Sequence, residues 1–462
     1  MADITILHAQ DRSVVTSEGV PERAEYTMPL GCLYLMASLQ QHGYSVDFRD
    51  YQFNDFLFPQ DPENLVRFLD GSAEIVGVSC LVDFLPLAVL AMRRLKQRHP
   101  EKTVILGGPG PAEVAELLMA EFPFIDIVAI GEGEATIVEL VDRLSGGRPR
   151  SLDDVKGIVF RRDGAIRCTA RRARVKHLDE IPFPHPSGVD LTRYTQAHLI
   201  TSRGCPYKCT FCDVSPLWDR KTTYRSIDNF IGELMNLARM GFTEVAIQDD
   251  NFFLDRKRVM AFSTELSNTP GAPGWSCLGR VDLVNENLLT HMTEAGCRGI
   301  FFGVESGSDR VLKAIMKDTT AEVASRAVTM ALKHVAVKAY FIWGFPQESV
   351  EDLTKTLLLM SYLNSMGAMT PITLLAPLPQ SILYYRYKNQ LVLDRRMFAH
   401  NFVAGFLLRR DDNEEVFELV RRYPQIFPSF YTYKTAEVDE KIRLTKRVKE
   451  ALDMTLTDWQ AA

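Results

Sequence analysis

Short apolar runs alternate with amphipathic helical stretches along most of the chain. Ile4 to Ala9, Ser45 to Phe48, Ile75 to Ser79, Thr103 to Leu106 and Ile127 to Ile130 have the length and pattern of strands. Helical periodicity fills the intervals at 28–39, 86–99, 112–121 and 136–144. This alternation predicts an α/β unit with a doubly wound parallel sheet over residues 1–150. Residues 151–195 read as a connector: a short hairpin, Val155 to Phe160 and Ala165 to Cys168, then the proline-bearing stretch 181–188, which suits neither a helix interior nor a central strand. A second rhythm begins at residue 196. Strands are predicted at Ala197 to Ile200, Glu244 to Gln248, Trp275 to Gly279, Gly299 to Val304, Lys338 to Trp343 and Met369 to Leu375, each followed by a loop or helix. Six such units over residues 196–390 predict a partial (β/α)6 barrel, with functional loops at the carboxyl ends of its strands. Residues 391–462, with helical patterns at Glu414 to Tyr423 and Glu437 to Met454, read as a small C-terminal helical module that covers substrate.

Composition narrows the class. A chain of 462 residues exceeds one typical domain. A formal charge of −6 argues against a broad nucleic-acid surface, so no nucleic-acid partner is expected. No apolar run is long enough to span a bilayer, and with no basic region before the first apolar residues no signal peptide is expected. With three of the eight cysteines clustered in one loop, the expected compartment is a reducing cytoplasm.

That loop carries the chemistry. In Thr201-Ser-Arg-Gly-Cys205-Pro-Tyr-Lys-Cys209-Thr-Phe-Cys212-Asp, three cysteines at i, i+4 and i+7 follow a strand. Three thiolates in one loop suit a soft metal centre, zinc or an iron–sulfur cluster. A structural zinc site takes four ligands, and His198 and Asp213 are poor candidates for the fourth. Three thiolates without an obvious fourth fit a [4Fe-4S] cluster with one iron open to a non-protein ligand.

The CxxxCxxC loop, with Phe211 just before its last cysteine, resembles the signature of radical S-adenosylmethionine (SAM) enzymes. That resemblance implies that SAM chelates the open iron, and that one electron cleaves it to a 5′-deoxyadenosyl radical. It further implies a cofactor role for Phe211, for Asp249 or Asp250 near the amino or ribose groups, for Arg280 near the methionyl carboxylate or Glu305, for Glu305 at the ribose or amino group, and for Gly344 near the adenine. The front domain, with Pro29-Leu-Gly31, Ser79, Gly107-Gly108-Pro109 and Gly131-Glu132-Gly133-Glu134, resembles the cobalamin-binding domain of the B12-dependent subgroup. The Asp-x-His-x-x-Gly motif that donates a histidine to cobalt is absent; His8, His42 and His99 lie in other contexts. The resemblance spans about residues 1–390.

It implies a cobalamin-dependent radical SAM methyltransferase acting on an unactivated carbon of a small molecule, fed electrons by an external flavodoxin- or ferredoxin-type reductant. Two alternatives stand beside it: a non-methylating cyclisation, rearrangement or oxidation with the same cofactors, and a non-catalytic corrinoid or iron–sulfur binding module. A methylthiotransferase would want further cysteines in the front domain, which has only Cys32 and Cys80.

Overall fold

Ile4–His8 (β1) is buried along its whole length, which requires cover on both faces of the sheet. It is joined in parallel by Val46–Asp50 (β2), Ile75–Ser79 (β3), Thr103–Gly107 (β4) and Ile127–Ala129 (β5), in the order β2-β1-β3-β4-β5. Leu30–Gln41 (α1) and Glu134–Leu144 (α5) pack on one face, where Ile4, Ile6, Ile75, Ile105 and Ile127 share a core with Cys32, Leu39, Ile137 and Leu140. Leu85–Arg98 (α3) packs against Pro62–Phe68 (α2), and Ala115–Glu121 (α4) against β5. The sequence pattern did not reveal α2, because a seven-residue helix shows less than two turns of period; its cap, Asp61 accepting from the Glu63 amide, holds it. The computed structural model describes residues 2–10, 14–15, 21–22, 26–145, 150–401, 403 and 413–452.

The hairpin expected in the connector belongs instead to this sheet. Ile158–Arg162 (β6) pairs antiparallel with β5, and Ala165–Cys168 (β7) pairs with β6, giving seven strands. Buried Ile158, Val159 and Phe160 supply the reason: the outer edge of β5 gains a partner and the apolar residues of β6 gain cover.

The second sheet is parallel throughout and its strands run in sequence order: Ala197–Leu199 (β8), Glu244–Ile247 (β9), Gly274–Arg280 (β10), Cys297–Glu305 (β11), Ala336–Trp343 (β12) and Ile372–Leu374 (β13). Crossovers carry the helices Ile227–Arg239 (α6), Arg256–Ser267 (α7), Glu286–Glu294 (α8), Asp309–Ala314 (α9), Ala321–Ala331 (α10) and Val350–Ser365 (α11). This is the partial barrel, and all its strands deliver their carboxyl ends to one rim.

The chain divides into two compact units: Met1–Lys176 with Glu180–Leu191 and Phe402–Tyr431, and His177–Asp179 with Thr192–Asn401 and Thr432–Ala462. The C-terminal segment is thereby shared out rather than standing as one module. Glu414–Arg422 (α12) buries Val416, Leu419 and Val420, contacts α3, and sets Tyr423 edge-on against Phe122 at 5.1 Å. Phe427 is core, and the Tyr431 hydroxyl donates to the Val420 carbonyl at 3.2 Å, which ties it to α12. Phe398 is buried in the second unit, whereas Phe402, Phe406 and Met454 lie outside the described residues.

Val438–Ala451 (α13) docks on α11. Its fully buried Lys441 donates to the Glu348 backbone carbonyl and to Thr435 Oγ1. The Glu348 side chain is itself buried: Oε2 accepts the Gly344 amide at 2.7 Å, while Oε1 has no hydrogen-bond partner. Burial pushes this carboxyl up to about 7, against the opposing pull of the Gly344 amide and the Lys441 charge. A carboxyl raised from 4.5 to about 7 binds its proton more readily when folded, so its ionisation costs stability as pH rises across that window. Glu348→Gln removes this component. The stability of the variant relative to wild type should grow by on the order of 3 kcal/mol between pH 4.5 and 7.5, measured by denaturant unfolding. A relative stability that falls with pH would instead put the Lys441 ammonium in control of the group.

Candidate active site

The cysteine loop leaves β8 along a path fixed by one carboxylate. Asp249, just past β9 and 2% exposed, accepts four hydrogen bonds: from the Thr201 amide and hydroxyl, both at 2.6 Å, and from the Ser202 amide at 3.1 Å and hydroxyl at 2.7 Å. A carboxylate has about four acceptor positions, so none remains for a ligand. The neighbouring Asp250 accepts the Gly204 amide at 2.8 Å. Asp249 or Asp250 was expected near the amino or ribose groups of SAM; the partners that the structure gives them lie in the chain that leads into the cysteines. Gly204 follows at φ +103, and a Cβ there would lie 2.1 Å from the Lys221 carbonyl. Glycine is required at that turn.

The loop is pinned again in its middle. The Thr210 amide donates to the Ile315 carbonyl at 2.9 Å, and its carbonyl accepts from the Leu383 amide at 2.7 Å. Phe211 turns into the core with Val311, Leu312 and Ile315 and meets Phe345 edge-on at 5.9 Å. It anchors the loop at its third cysteine. Burial pushes the three thiols up, Cys212 to about 12, and Lys317 and Arg280 pull the Cys209 thiol back down.

Arg280 ends β10. Its Nε and Nη2 donate to the two Asp282 oxygens at 2.9 and 3.2 Å, Nη2 also donates to the Lys317 carbonyl, and Nη1 lies 3.6 Å from Cys209 Sγ. The Tyr207 ring covers the guanidinium with its centroid 3.8 Å away. Arg280 therefore faces the cysteine loop, and the cation that meets Glu305 is a different one. Lys317 Nζ donates to Glu305 Oε1 at 2.7 Å, with both side chains buried.

Glu305 ends β11 with φ +68, at an irregularity in the pairing with β12. Its carboxylate folds back over Gly303, where a Cβ would lie 2.5 Å from Oε1. Lys317 is flanked by Met316 and Asp318 at φ 56 and 52. Non-glycine residues in that region cost of order 1 kcal/mol each and mark segments held by their surroundings. Lys317 escaped detection from sequence because a lysine after a helix reads as an ordinary terminal cation. Gly344 lies at φ +88 after β12, and a Cβ there would fall 2.5 Å from Leu374 Cδ1. The left-handed backbone conformation favours glycine at that position.

In the front unit, β1 and β3 flank the reversal of strand order, the place where such sheets bind ligands. His8 and Ser79 face each other there in register. His8 Nδ1 meets Asp50 Oδ1 at 2.9 Å, a buried pair that the missing motif gave no reason to expect. Ser79 contacts the Cys32 thiol, which burial pushes up to about 12. Pro29 precedes α1, and Pro109 opens a short helix. The glycines separate into two groups. Gly108 and Gly133 serve internal packing, since a Cβ would fall 2.7 Å from the Cys80 carbonyl or 2.8 Å from Leu35. Gly31 and Gly131 have nothing within 4 Å of that position, and Gly107 only the Ala129 Cβ at 3.9 Å. Glu132 accepts the Val175 amide at 2.7 Å, a structural contact.

These residues fit the implied groups. Among the described residues no group of three or more His, Cys, Asp or Glu side chains is already gathered to hold a metal ion. The donor set is three thiols beside two buried cations, suited to an anionic cluster that needs thiolates. In the front unit, Gly31, Gly107 and Gly131 leave open space beside the backbone, which is compatible with the close approach of a bound group.

Comparison with known proteins agrees. The radical SAM superfamily model matches residues 199–360, and the B12 binding domain model matches residues 20–141. A protein of Pyrococcus horikoshii named as an uncharacterized methyltransferase is 31% identical over 412 residues, covering 87% of each chain. The radical SAM methyltransferase TsrM from Kitasatospora setae, solved with cobalamin and a [4Fe-4S] cluster, has a similar fold with TM-score 0.65 and 18% identity, over 84% of this chain and 78% of that one. The cobalamin-dependent SAM radical enzyme OxsB, solved with aqua-cobalamin and SAM, has TM-score 0.68 and 18% identity, over 97% of this chain and 66% of that one. With both domains present and in this order, the chain belongs to the cobalamin-binding, B12-dependent radical S-adenosylmethionine enzyme family.

Proposed function

We propose that this protein is a methyltransferase that acts on an unactivated carbon of a small-molecule substrate. The observation that carries this reading is the donor set at the barrel rim: three thiols on the loop after β8, Arg280 at the end of β10, and Glu305 at the end of β11 paired with buried Lys317. The methyltransferase names of the Pyrococcus horikoshii relative and of TsrM support methylation over other radical outcomes.

Cys205, Cys209 and Cys212 are the proposed ligands of a [4Fe-4S] cluster, and Gly31, Gly107 and Gly131 the proposed cradle of cobalamin. When bound, the cluster with SAM supplies a 5′-deoxyadenosyl radical and cobalamin supplies a methyl group. The chain's own residues orient and shield. Asp249 and Asp250 fix the start of the cysteine loop, Thr210 and Phe211 fix its middle, and Glu305 offers a carboxylate for the amino or ribose groups of SAM. Lys317 balances that carboxylate in a site largely closed to water. Gly344 allows the left-handed turn after β12, beside Leu374. An external flavodoxin- or ferredoxin-type protein is the proposed electron donor, and the cytoplasm the proposed location. Among the described residues no helix is long and apolar enough to cross a membrane.

The experiment needs no identified substrate. Anaerobically reconstituted protein, given reductant, cob(I)alamin and SAM labelled in its methyl group, should release 5′-deoxyadenosine and yield labelled methylcobalamin. Deoxyadenosine without labelled methylcobalamin would support the non-methylating chemistry, and formation of neither would leave only a binding module. Replacing Glu305 by Gln should weaken SAM binding on the order of tenfold, since a charge-assisted hydrogen bond is exchanged for a neutral one. Equilibrium binding on protein of unchanged iron content measures it; wild-type affinity would remove Glu305 from the SAM site.

A further inference from the structure

Arg280 makes more contacts than a carboxylate-binding arginine needs. Asp282 takes two of its N–H groups at 2.9 and 3.2 Å, the Lys317 carbonyl takes another, and the Tyr207 ring lies 3.8 Å from its centre. The remaining contact, from Nη1, is with Cys209 Sγ at 3.6 Å. Each restraint comes from a separate stretch of chain. Asp282 lies in the turn after β10, Tyr207 is inside the cysteine loop, and Lys317 sits between two left-handed residues, Met316 and Asp318. A guanidinium at 5% exposure, held on three sides, has little freedom to leave the sulfur.

We infer that Arg280 is a positioning residue whose fixed N–H···S contact with Cys209 raises the reduction potential of the cluster, with Tyr207 as the ring that keeps it there. The inference rests on the proposal that Cys209 ligates a [4Fe-4S] cluster, and it concerns the one-electron 2+/1+ couple. In that couple the cluster gains one electron from the external reductant and no bond to the protein breaks. The reduced cluster carries one more negative charge, spread onto its sulfur ligands. A cation and hydrogen bond at one sulfur stabilise that state more than the oxidised one, and both effects are strengthened where water is excluded. Removing the contact therefore lowers the potential and makes reduction by a flavodoxin-type donor harder. The sequence expectation, Arg280 on the methionyl carboxylate, calls for a free guanidinium edge, whereas both Nη atoms and Nε are engaged within the protein.

Potentiometric titration of the anaerobic full-length protein, followed by electron paramagnetic resonance of the reduced cluster, tests this. Iron and sulfide content and SAM affinity are measured on the same samples. Arg280→Met should retain the cluster and show a lower midpoint potential than wild type. Tyr207→Leu should shift it the same way by less, and Tyr207→Phe, which keeps the ring, should match wild type. An Arg280→Met protein with a full cluster at wild-type potential, whether or not SAM binding falls, would overturn the inference. Should Arg280→Met fail to fold, the Tyr207 pair decides: equal potentials for Leu and Phe would overturn it. A wild-type protein without cluster iron would overturn the cluster reading and this inference with it, whereas wild-type cluster with unshifted variants would overturn this inference alone.

Discussion

A single carboxylate fixes where the cysteine loop begins. Asp249 binds Thr201 and Ser202 through both amides and both hydroxyls, and so ties the exit of β8 to the end of β9. Hydrogen bonds to charged groups are each worth roughly 1.5–3 kcal/mol when a partner is removed. Four at one buried site leave the two residues before Arg203 with one geometry. The Gly204 turn, Asp250 on its amide, and the Thr210 bridge between Ile315 and Leu383 extend that restraint through the loop. A donor set must be held within fractions of an ångström to be selective, and here much of the hold comes from hydrogen bonds within the protein.

The second constraint is charge. Buried thiols resist ionisation, and each of the three has its proton affinity raised by burial. Arg280 and Lys317 supply the opposing field at Cys209. Neither cation is left to water. Arg280 is neutralised through Asp282, and Lys317 through Glu305, so the rim carries two ion pairs whose positive ends face the thiols. Breaking such a buried pair leaves an uncompensated charge, the costly outcome. The same pairing explains Gly303: the Glu305 carboxylate reaches Lys317 only by folding over a position without a Cβ.

The strand–helix rhythm made both sheets legible, because apolar runs of five residues bounded by glycine and polar turns have few other solutions. Ile75 to Ser79 matches its strand to the residue. The cysteine spacing and Gly303 to Glu305 were also readable, since each carries its chemistry locally. What was hidden depends on partners far along the chain. The role of Asp249 lies in residues 47 and 48 positions earlier, and Lys317 meets Glu305 across 12. The packing of Phe211 likewise depends on Phe345 and α9, far along the chain. The C-terminal helices share one amphipathic pattern, and only tertiary packing assigns Glu414–Arg422 to one unit and Val438–Ala451 to the other.

The two groups of glycines show how the same residue type carries opposite information. At Gly108 and Gly133 the missing Cβ is explained by atoms already present, so these positions say nothing about a ligand. At Gly31 and Gly131 no atom lies within 4 Å of a would-be Cβ, although Gly131 has a positive φ that alone accounts for glycine there. Gly31 is the second residue of α1 at ordinary φ, where alanine would be the better helix former by about 1 kcal/mol. Neither backbone strain nor packing requires glycine at that position. Gly31 is exposed, and the open space beside the first turn of α1 is where the proposed cobalamin cradle would begin.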